Sequence, residues 1–252
     1  MDQQTTSALL YLDGITVSFD GFRALNELSF IIEPGEMRAI IGPNGAGKTT
    51  MMDVVTGKTR PDAGDVFFEQ GSFDLSKLDE TEIADLGIGR KFQKPTVFDM
   101  HTVEDNLQLA LRNDRGVKAT LFWQTSPEQE QRLDEVLDIV RLMPLRNRLS
   151  GSLSHRQKQW LEIAMALAGE PKLLLLDEPT GGMSIEERRA TGELLQPIKR
   201  RCSLVIVEHD LDFIRDICDV LTVLDQGIVV DSGSVEQIHN SKRVQEVYLT
   251  RV

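Results

Sequence analysis

Apolar positions along the chain follow three spacings in turn. Residues 9–33 read as strands, broken by turn signals at Asp13-Gly14 and Asp20-Gly21. Pro34-Gly35 then turns the chain into a buried strand, Met37 to Ile41, and residues 64–69 read as one more strand. This predicts a small antiparallel sheet near the start of the chain. Residues 97–169 are mostly helical, with apolar residues at helical spacing over Val103 to Leu111 and over Pro127 to Leu142. A further helix opens at Leu153-Ser154 and runs to about Ala168. From 172 onward the apolar runs are short and unbroken: Leu173 to Leu176, Leu204 to Val207 and Val220 to Leu224. Such runs suit strands of a parallel sheet covered on both faces. Ile88 to Phe92 reads as a short strand, 228–232 as an edge strand, and 234–239 and 242–249 as short helices. Strands and helices alternating after residue 36 indicate an α/β fold.

Composition narrows the class. With 252 residues the chain can bury a sizeable core, as one large domain or a core with a smaller lobe. No run of 18 apolar residues is present, so no spanning helix is expected, and Met1 to Ser7 lacks a signal-peptide pattern. The net charge of −12 argues against a nucleic-acid surface. Cys202 and Cys218 are far apart and lack metal-ligand spacing, as expected of inert thiols in a cytosolic protein. Between two loops, at 113–116 and 125–127, Leu121, Phe122 and Trp123 form an apolar clump, for packing or for a partner.

The densest chemistry follows the strand Met37 to Ile41. Gly42-Pro43-Asn44-Gly45-Ala46-Gly47-Lys48-Thr49 has the spacing G-x-x-x-x-G-K-[ST], and Thr50 continues into a helix closed by Gly57. Strand, glycine-rich loop and helix are the context in which backbone N–H groups curl around phosphate oxygens. The helix dipole adds to this attraction. In that setting Lys48 reaches the β- and γ-phosphates of a nucleotide and the Thr49 hydroxyl ligates Mg²⁺.

Leu173 to Leu176 followed by Asp177-Glu178 delivers two acids to a strand end, where ligands of α/β sheets bind. Asp177 is expected to hold Mg²⁺ and Glu178 to orient and deprotonate an attacking water. Gln93, after the strand Ile88 to Phe92, is a candidate for Mg²⁺ or for the attacking water. His209, at the end of the strand that starts at Leu204, is a candidate donor to a phosphate oxygen. Ser154 and Gln157 fit the S-x-x-Q capping box, and the same helix start could bind a phosphate that need not belong to this chain's own nucleotide.

In this order the motifs resemble the nucleotide-binding subunit of ABC transporters. The resemblance covers the chain from about Leu9 to Val252: the P-loop, Gln93, the signature at 153–157, Asp177-Glu178, the loop Gly181-Gly182-Met183-Ser184 and His209. It implies one ABC ATPase domain over 8–252, with a RecA-like P-loop NTPase core, an antiparallel β subdomain and a helical subdomain at about 95–169. It implies MgATP as the ligand, with Phe19 where the family's adenine-stacking aromatic is found. Two such subunits would sandwich ATP head to tail and drive transmembrane permease subunits, served indirectly by a solute-binding protein, at the cytoplasmic face of the inner membrane. Gly35 to Thr50 and Gly87 to Gln93 look like importers of branched-chain amino acids and related solutes. Leu153-Ser154-His155, Gln157 to Ile163 and Glu246 to Leu249 look like the ATP-binding subunit of bacterial urea importers. The expected solute is urea; an amino acid or short amide is the alternative.

Two positions depart from the family pattern. Arg156 stands where the signature L-S-G-G-Q has its second glycine, and Ser184 stands where Asp or Asn is frequent. A long side chain at 156 is expected to hinder approach to the opposing γ-phosphate and to make the chain a weak ATPase by itself; the alternative is that its guanidinium pairs with that phosphate. A non-transport ABC ATPase acting on DNA or ribosomes fits less well, since this chain has one cassette, no paired cysteines and an acidic balance.

Overall fold

The computed structural model describes residues 7–93, 96–111 and 125–249. The clump Leu121-Phe122-Trp123 and the loop at 113–116 lie outside them. A hairpin opens the chain, β1 (Leu10–Phe19) and β2 (Phe22–Ile32). Its turn, Asp20-Gly21, has φ of 49° and 85°, the left-handed pair that suits the right-handed twist of two strands. The chain then enters β3 (Met37–Ile41) and α1 (Lys48–Val55), and returns by β4 (Ala63–Phe68) and β5 (Phe73–Asp74). These strands form a four-stranded antiparallel sheet in the order β2-β1-β4-β5.

Asp13-Gly14 is not a turn. β1 runs through it, paired with β2 on one side and β4 on the other, and both ladders shift register beyond Leu12 and Asp13. Gly14, at φ 60°, is the bend of a β-bulge. Two flanking ladders override the local turn preference of Asp-Gly.

The second sheet adds β6 (Ile88–Lys91), β7 (Leu173–Asp177), β8 (Ser203–Val207), β9 (Val220–Asp225) and β10 (Ile228–Gly233). Its order is β10-β9-β3-β8-β7-β6, parallel except for the antiparallel edge strand β10. Leu174, Leu176, Leu204 and Ile206 enter one core; Leu173, Leu175, Val205 and Val207 enter another. Burial on both faces is why these strands read as unbroken apolar runs.

The remaining helices are α2 (Glu80–Leu86), α3 (Val103–Ala110), α4 (Pro127–Ile139), α5 (His155–Ala168), α6 (Ile185–Lys199), α7 (Leu211–Ile217), α8 (Val235–His239) and α9 (Lys242–Leu249). α2 was not expected from the sequence. α3, α4 and α5 share one buried cluster with β7, through Leu107, Leu137, Leu161 and Leu174. Helices α2 to α6 and α8 each start with a reciprocal capping box. α1 differs: its N-cap is Gly47, at φ 100°, and no side chain caps it.

The two sheets meet behind the P-loop. The turn between β9 and β10 carries Gln226 and Gly227, both at positive φ. Gly227 N–H donates to the Ala46 carbonyl at 3.1 Å, and the Gly227 carbonyl accepts from Asn26 N–H at 2.9 Å. A Cβ at Gly227 would lie 2.6 Å from the Ala24 carbonyl oxygen. Three backbones are thus in contact with no side chain between them.

Candidate active site

Four neighbouring strands, β3, β8, β7 and β6, end along one edge of the parallel sheet. Each carries one of the segments picked out above: the P-loop after β3, His209 after β8, Asp177-Glu178 at the end of β7 and Gln93 after β6. Phe19, Asn44, Gly45, Ala46, Gly47, Lys48, Thr49, Thr50, Gln93, Asp177, Glu178 and His209 line one cavity of about 400 Å³. Gly42 and Pro43 belong to the same loop, and their carbonyls accept from Lys48 Nζ at 2.6 and 3.0 Å.

Glycine is required at two points of this loop. A Cβ at Gly47 would sit 2.6 Å from the Ala24 carbonyl oxygen, and one at Gly42 would sit 2.1 Å from the Leu224 carbonyl oxygen. With no capping side chain on α1, its first-turn N–H groups are left for an anion. Burial pushes the Lys48 ammonium below its ordinary pKa, and the charges of Glu178 and Asp177 pull it back up.

The second half of the cavity is acidic and tightly partnered. Gln93 Nε2 donates to Glu178 Oε2 at 3.1 Å, and His209 Nε2 lies 3.3 Å from Glu178 Oε1. Each carboxylate oxygen of Glu178 therefore has its own neighbour. Glu178 has φ 46°, a left-handed conformation uncommon for a residue with a side chain. Asp177 is buried; burial raises its pKa, and the Arg90 guanidinium, 3.6 Å from Oδ2, opposes that rise. Thr49, Gln93 and Asp177 bring a hydroxyl, an amide and a carboxylate to one cavity, an oxygen-bearing donor set that fits a hard cation such as Mg²⁺.

Several residues at this edge were not picked out from the sequence. Phe22 lines the cavity beside Phe19, its cross-strand partner. Arg90 is paired with Asp53 of α1 at 2.5 Å. Glu208 is buried and holds the backbone after Glu178: its Oε1 accepts from Thr180 N–H at 2.9 Å and Thr180 Oγ1 at 2.5 Å, and its Oε2 accepts from His209 N–H at 3.1 Å. Lys91 and Glu162 are buried together. For Arg90, Lys91, Glu162 and Glu208 the available signal was a charged residue within or at the end of an apolar stretch.

Ser154 and Gln157 do not line the cavity. They start α5 and satisfy each other: Gln157 N–H donates to Ser154 Oγ at 3.3 Å, and Ser154 N–H donates to Gln157 Oε1 at 2.9 Å. His155 Nε2 lies 3.0 Å from the Gly181 carbonyl oxygen. Arg156, expected to hinder an opposing γ-phosphate, is the second residue of α5. Its guanidinium lies 5.0 Å from the centre of the Trp160 ring, one turn further along, and 3.9 Å from Glu187 Oε1. An aromatic face and a carboxylate draw it back along its own helix.

The ABC transporter family model matches residues 25–181. LivG of Archaeoglobus fulgidus, named a probable branched-chain amino acid transport ATP-binding protein, is 34% identical over 249 residues, spanning 96% of this chain and 95% of that one. The LivG protein of Escherichia coli K12, named for high-affinity branched-chain amino acid transport, is 30% identical over 250 residues, 96% of this chain and 97% of its own. A sulfate/thiosulfate import ATP-binding protein of Halalkalibacterium halodurans is 31% identical over 95% of this chain, which spans only 65% of that longer protein. Among solved structures, an ABC transporter cassette in its ADP conformation is 28% identical with a TM-score of 0.84, over 97% of this chain and 99% of that one. A nucleotide-free cassette is 27% identical with a TM-score of 0.81, over 96% and 98%. Among the described residues no helix is long and apolar enough to cross a membrane. The chain belongs to the ABC transporter family, as one of its ATP-binding, ATP-hydrolysing subunits.

Proposed function

We propose that this chain powers an importer of branched-chain amino acids by hydrolysing MgATP at the edge of its parallel sheet. One observation carries the ATPase reading: Lys48, Gln93, Asp177, Glu178 and His209 arrive from four adjacent strand ends around a single cavity. The nucleobase rests against Phe19, and the phosphates lie along the P-loop with Thr50 and the α1 N-terminus beneath them. Lys48 exchanges the Gly42 and Pro43 carbonyls for the β- and γ-phosphates. Thr49, Gln93 and Asp177 would hold a magnesium ion, which when bound neutralises phosphate charge.

Glu178 accepts a proton from water as the water's oxygen bonds to the terminal phosphorus and the bond to ADP breaks. Gln93 and His209 orient the two oxygens of that base, and His209 donates to an oxygen of the phosphoryl group being transferred. Backbone strain at Glu178 fits a residue held in one working pose. Ser154 and Gln157 complete the site of a second ATPase subunit. We take residues 8–252 as a single ATPase domain with a helical subdomain at about 95–169. Phe98, Met100, Leu109 and Leu149 are exposed apolar residues within that span, a surface for permease subunits, which would hold the chain at the cytoplasmic face of the membrane. A solute-binding protein enters only through those permeases, and no nucleic-acid partner is invoked.

The reading of the solute is supported by the two LivG relatives, which match this chain over nearly its full length. Urea is the second reading, carried by Leu153-Ser154-His155 and Gln157 to Ile163. Uptake of labelled leucine and labelled urea by vesicles holding the chain with its permease subunits tests both. ATP-dependent leucine uptake supports the reading; uptake of urea alone replaces it with the second.

A further inference from the structure

Lys91 and Glu162 form a buried charge pair that the hydrolysis scheme does not use. Their side chains are 0% and 2% exposed, with Lys91 Nζ 3.9 Å from Glu162 Oε2. Burial lowers the pKa of Lys91 and raises that of Glu162, and each charge offsets the shift of the other. Two buried charges are expensive for a fold that needs only packing, and apolar residues of similar size often do as well. A pair kept here calls for a reason beyond stability.

The contacts supply one. Lys91, the last residue of β6, donates to the Phe92 carbonyl at 3.1 Å and to the Asp177 carbonyl at 3.3 Å. Glu162 Oε1 accepts from Thr96 N–H at 2.5 Å and from Thr96 Oγ1 at 3.2 Å. Phe92 and Thr96 flank the segment that carries Gln93, so one ion pair grips it on both sides. The same pair ties it to the strand end bearing Asp177 and to α5. One turn before Glu162 on that helix, Lys158 donates to Asp99 Oδ1 at 2.8 Å. Ser154, at the tip of α5, is eight residues from Glu162, about 12 Å along a helix.

We propose that Lys91 and Glu162 are positioning residues: together they hold Gln93 against Glu178 and join that contact to the signature end of α5. This rests on the roles given above to Gln93 and Glu178. With nucleotide bound, the pair keeps Gln93 on Glu178 and carries any shift of that contact to α5, and so to the surface presented to the opposing nucleotide.

The test compares Glu162→Gln with the double variant Lys91→Met, Glu162→Leu, which restores an apolar interior without the grip. Binding of a non-hydrolysable ATP analogue is measured beside kcat and melting temperature. In a Trp123→Phe background, emission from Trp160 on α5 reports the helix's response to the analogue. We expect the analogue's Kd within threefold of the parent, kcat at least tenfold lower in both variants, and the Trp160 response lost. We also expect the melting temperature of the double variant to be close to the parent's. A double variant that regains kcat along with melting temperature makes the pair purely structural and overturns the proposal. So does parental kcat in Glu162→Gln, or a loss of analogue affinity parallel to the loss of kcat. Failure of the site reading looks different: the parent would not hydrolyse ATP, or Glu178→Gln would turn over like the parent.

Discussion

Helices α1 and α5 both begin where a phosphate is expected, and they begin in opposite ways. α1 starts at a glycine with no capping side chain, under a loop whose close approaches exclude a Cβ at Gly42 and Gly47. α5 starts with a closed capping box, and its first two residues reach toward other parts of the same chain, His155 to Gly181 and Arg156 to Glu187. The first is an open anion site, built around a cavity shared with Glu178, Gln93 and His209. The second is a finished helix start set apart from that cavity. A single chain therefore holds a nearly whole catalytic edge and a separate presenting tip. On the proposed reading, chemistry depends on the first and association on the second.

Four substitutions put that contrast at risk, in order of expected effect. Glu178→Gln removes the base without changing its shape; turnover should fall by roughly a hundredfold or more while ATP stays bound. Turnover near the parent's in a steady-state assay would move the base elsewhere. Lys48→Ala removes a point charge from the open helix start. A fluorescent ATP analogue should bind at least about tenfold more weakly, ~1.4 kcal/mol. Unchanged affinity by titration would mean that the loop and α1 alone hold the phosphates.

Ser154→Ala acts at the other helix. Loss of an N-cap should cost about 1 kcal/mol and lower the melting temperature by roughly 2–4 °C. Analogue binding to the single chain should not change. A drop in that affinity, seen by calorimetry, would place Ser154 in this chain's own site and erase the contrast. Arg156→Gly is the smallest. Because the guanidinium lies on Trp160 and near Glu187 rather than over the helix start, turnover should change by less than about threefold, under ~0.7 kcal/mol. A large rise in ATP-dependent dimerisation, read by light scattering, would bear out the expectation that this side chain obstructs.

Much of this was legible in the sequence because it is locally encoded. The apolar runs at Leu173, Leu204 and Val220 became β7, β8 and β9 because burial on both faces leaves no polar alternation. The P-loop was legible because its spacing is complete within eight residues, although the backbone that its glycines must approach, at Leu224 and Ala24, lies far along the chain. What escaped depends on partners far along the chain. Asp13-Gly14 reads as a turn until two ladders flank it. Glu208 reads as a strand end until Thr180 is beside it. Lys91 and Glu162 are 71 positions apart and acquire meaning only when β6 and α5 pack together. Arg156 shows the remaining limit: the residue was visible, but where its long side chain goes is decided by Trp160 and Glu187.

The turn at Gln226-Gly227 has a practical side. A two-residue hairpin turn at a sheet edge is where an engineer would first insert a label, a linker or a break in the chain. Here Gly227 is hydrogen-bonded on one side to Ala46 of the phosphate loop and on the other to Asn26 of the antiparallel sheet. Lengthening that turn would pull the floor from under the P-loop while leaving every catalytic side chain in the sequence. An insertion at the Asp20-Gly21 hairpin, beside Phe19, would disturb only the base contact proposed for that ring. A probe meant to follow the C-terminal strands should be attached to the exposed face of β10, not to its turn.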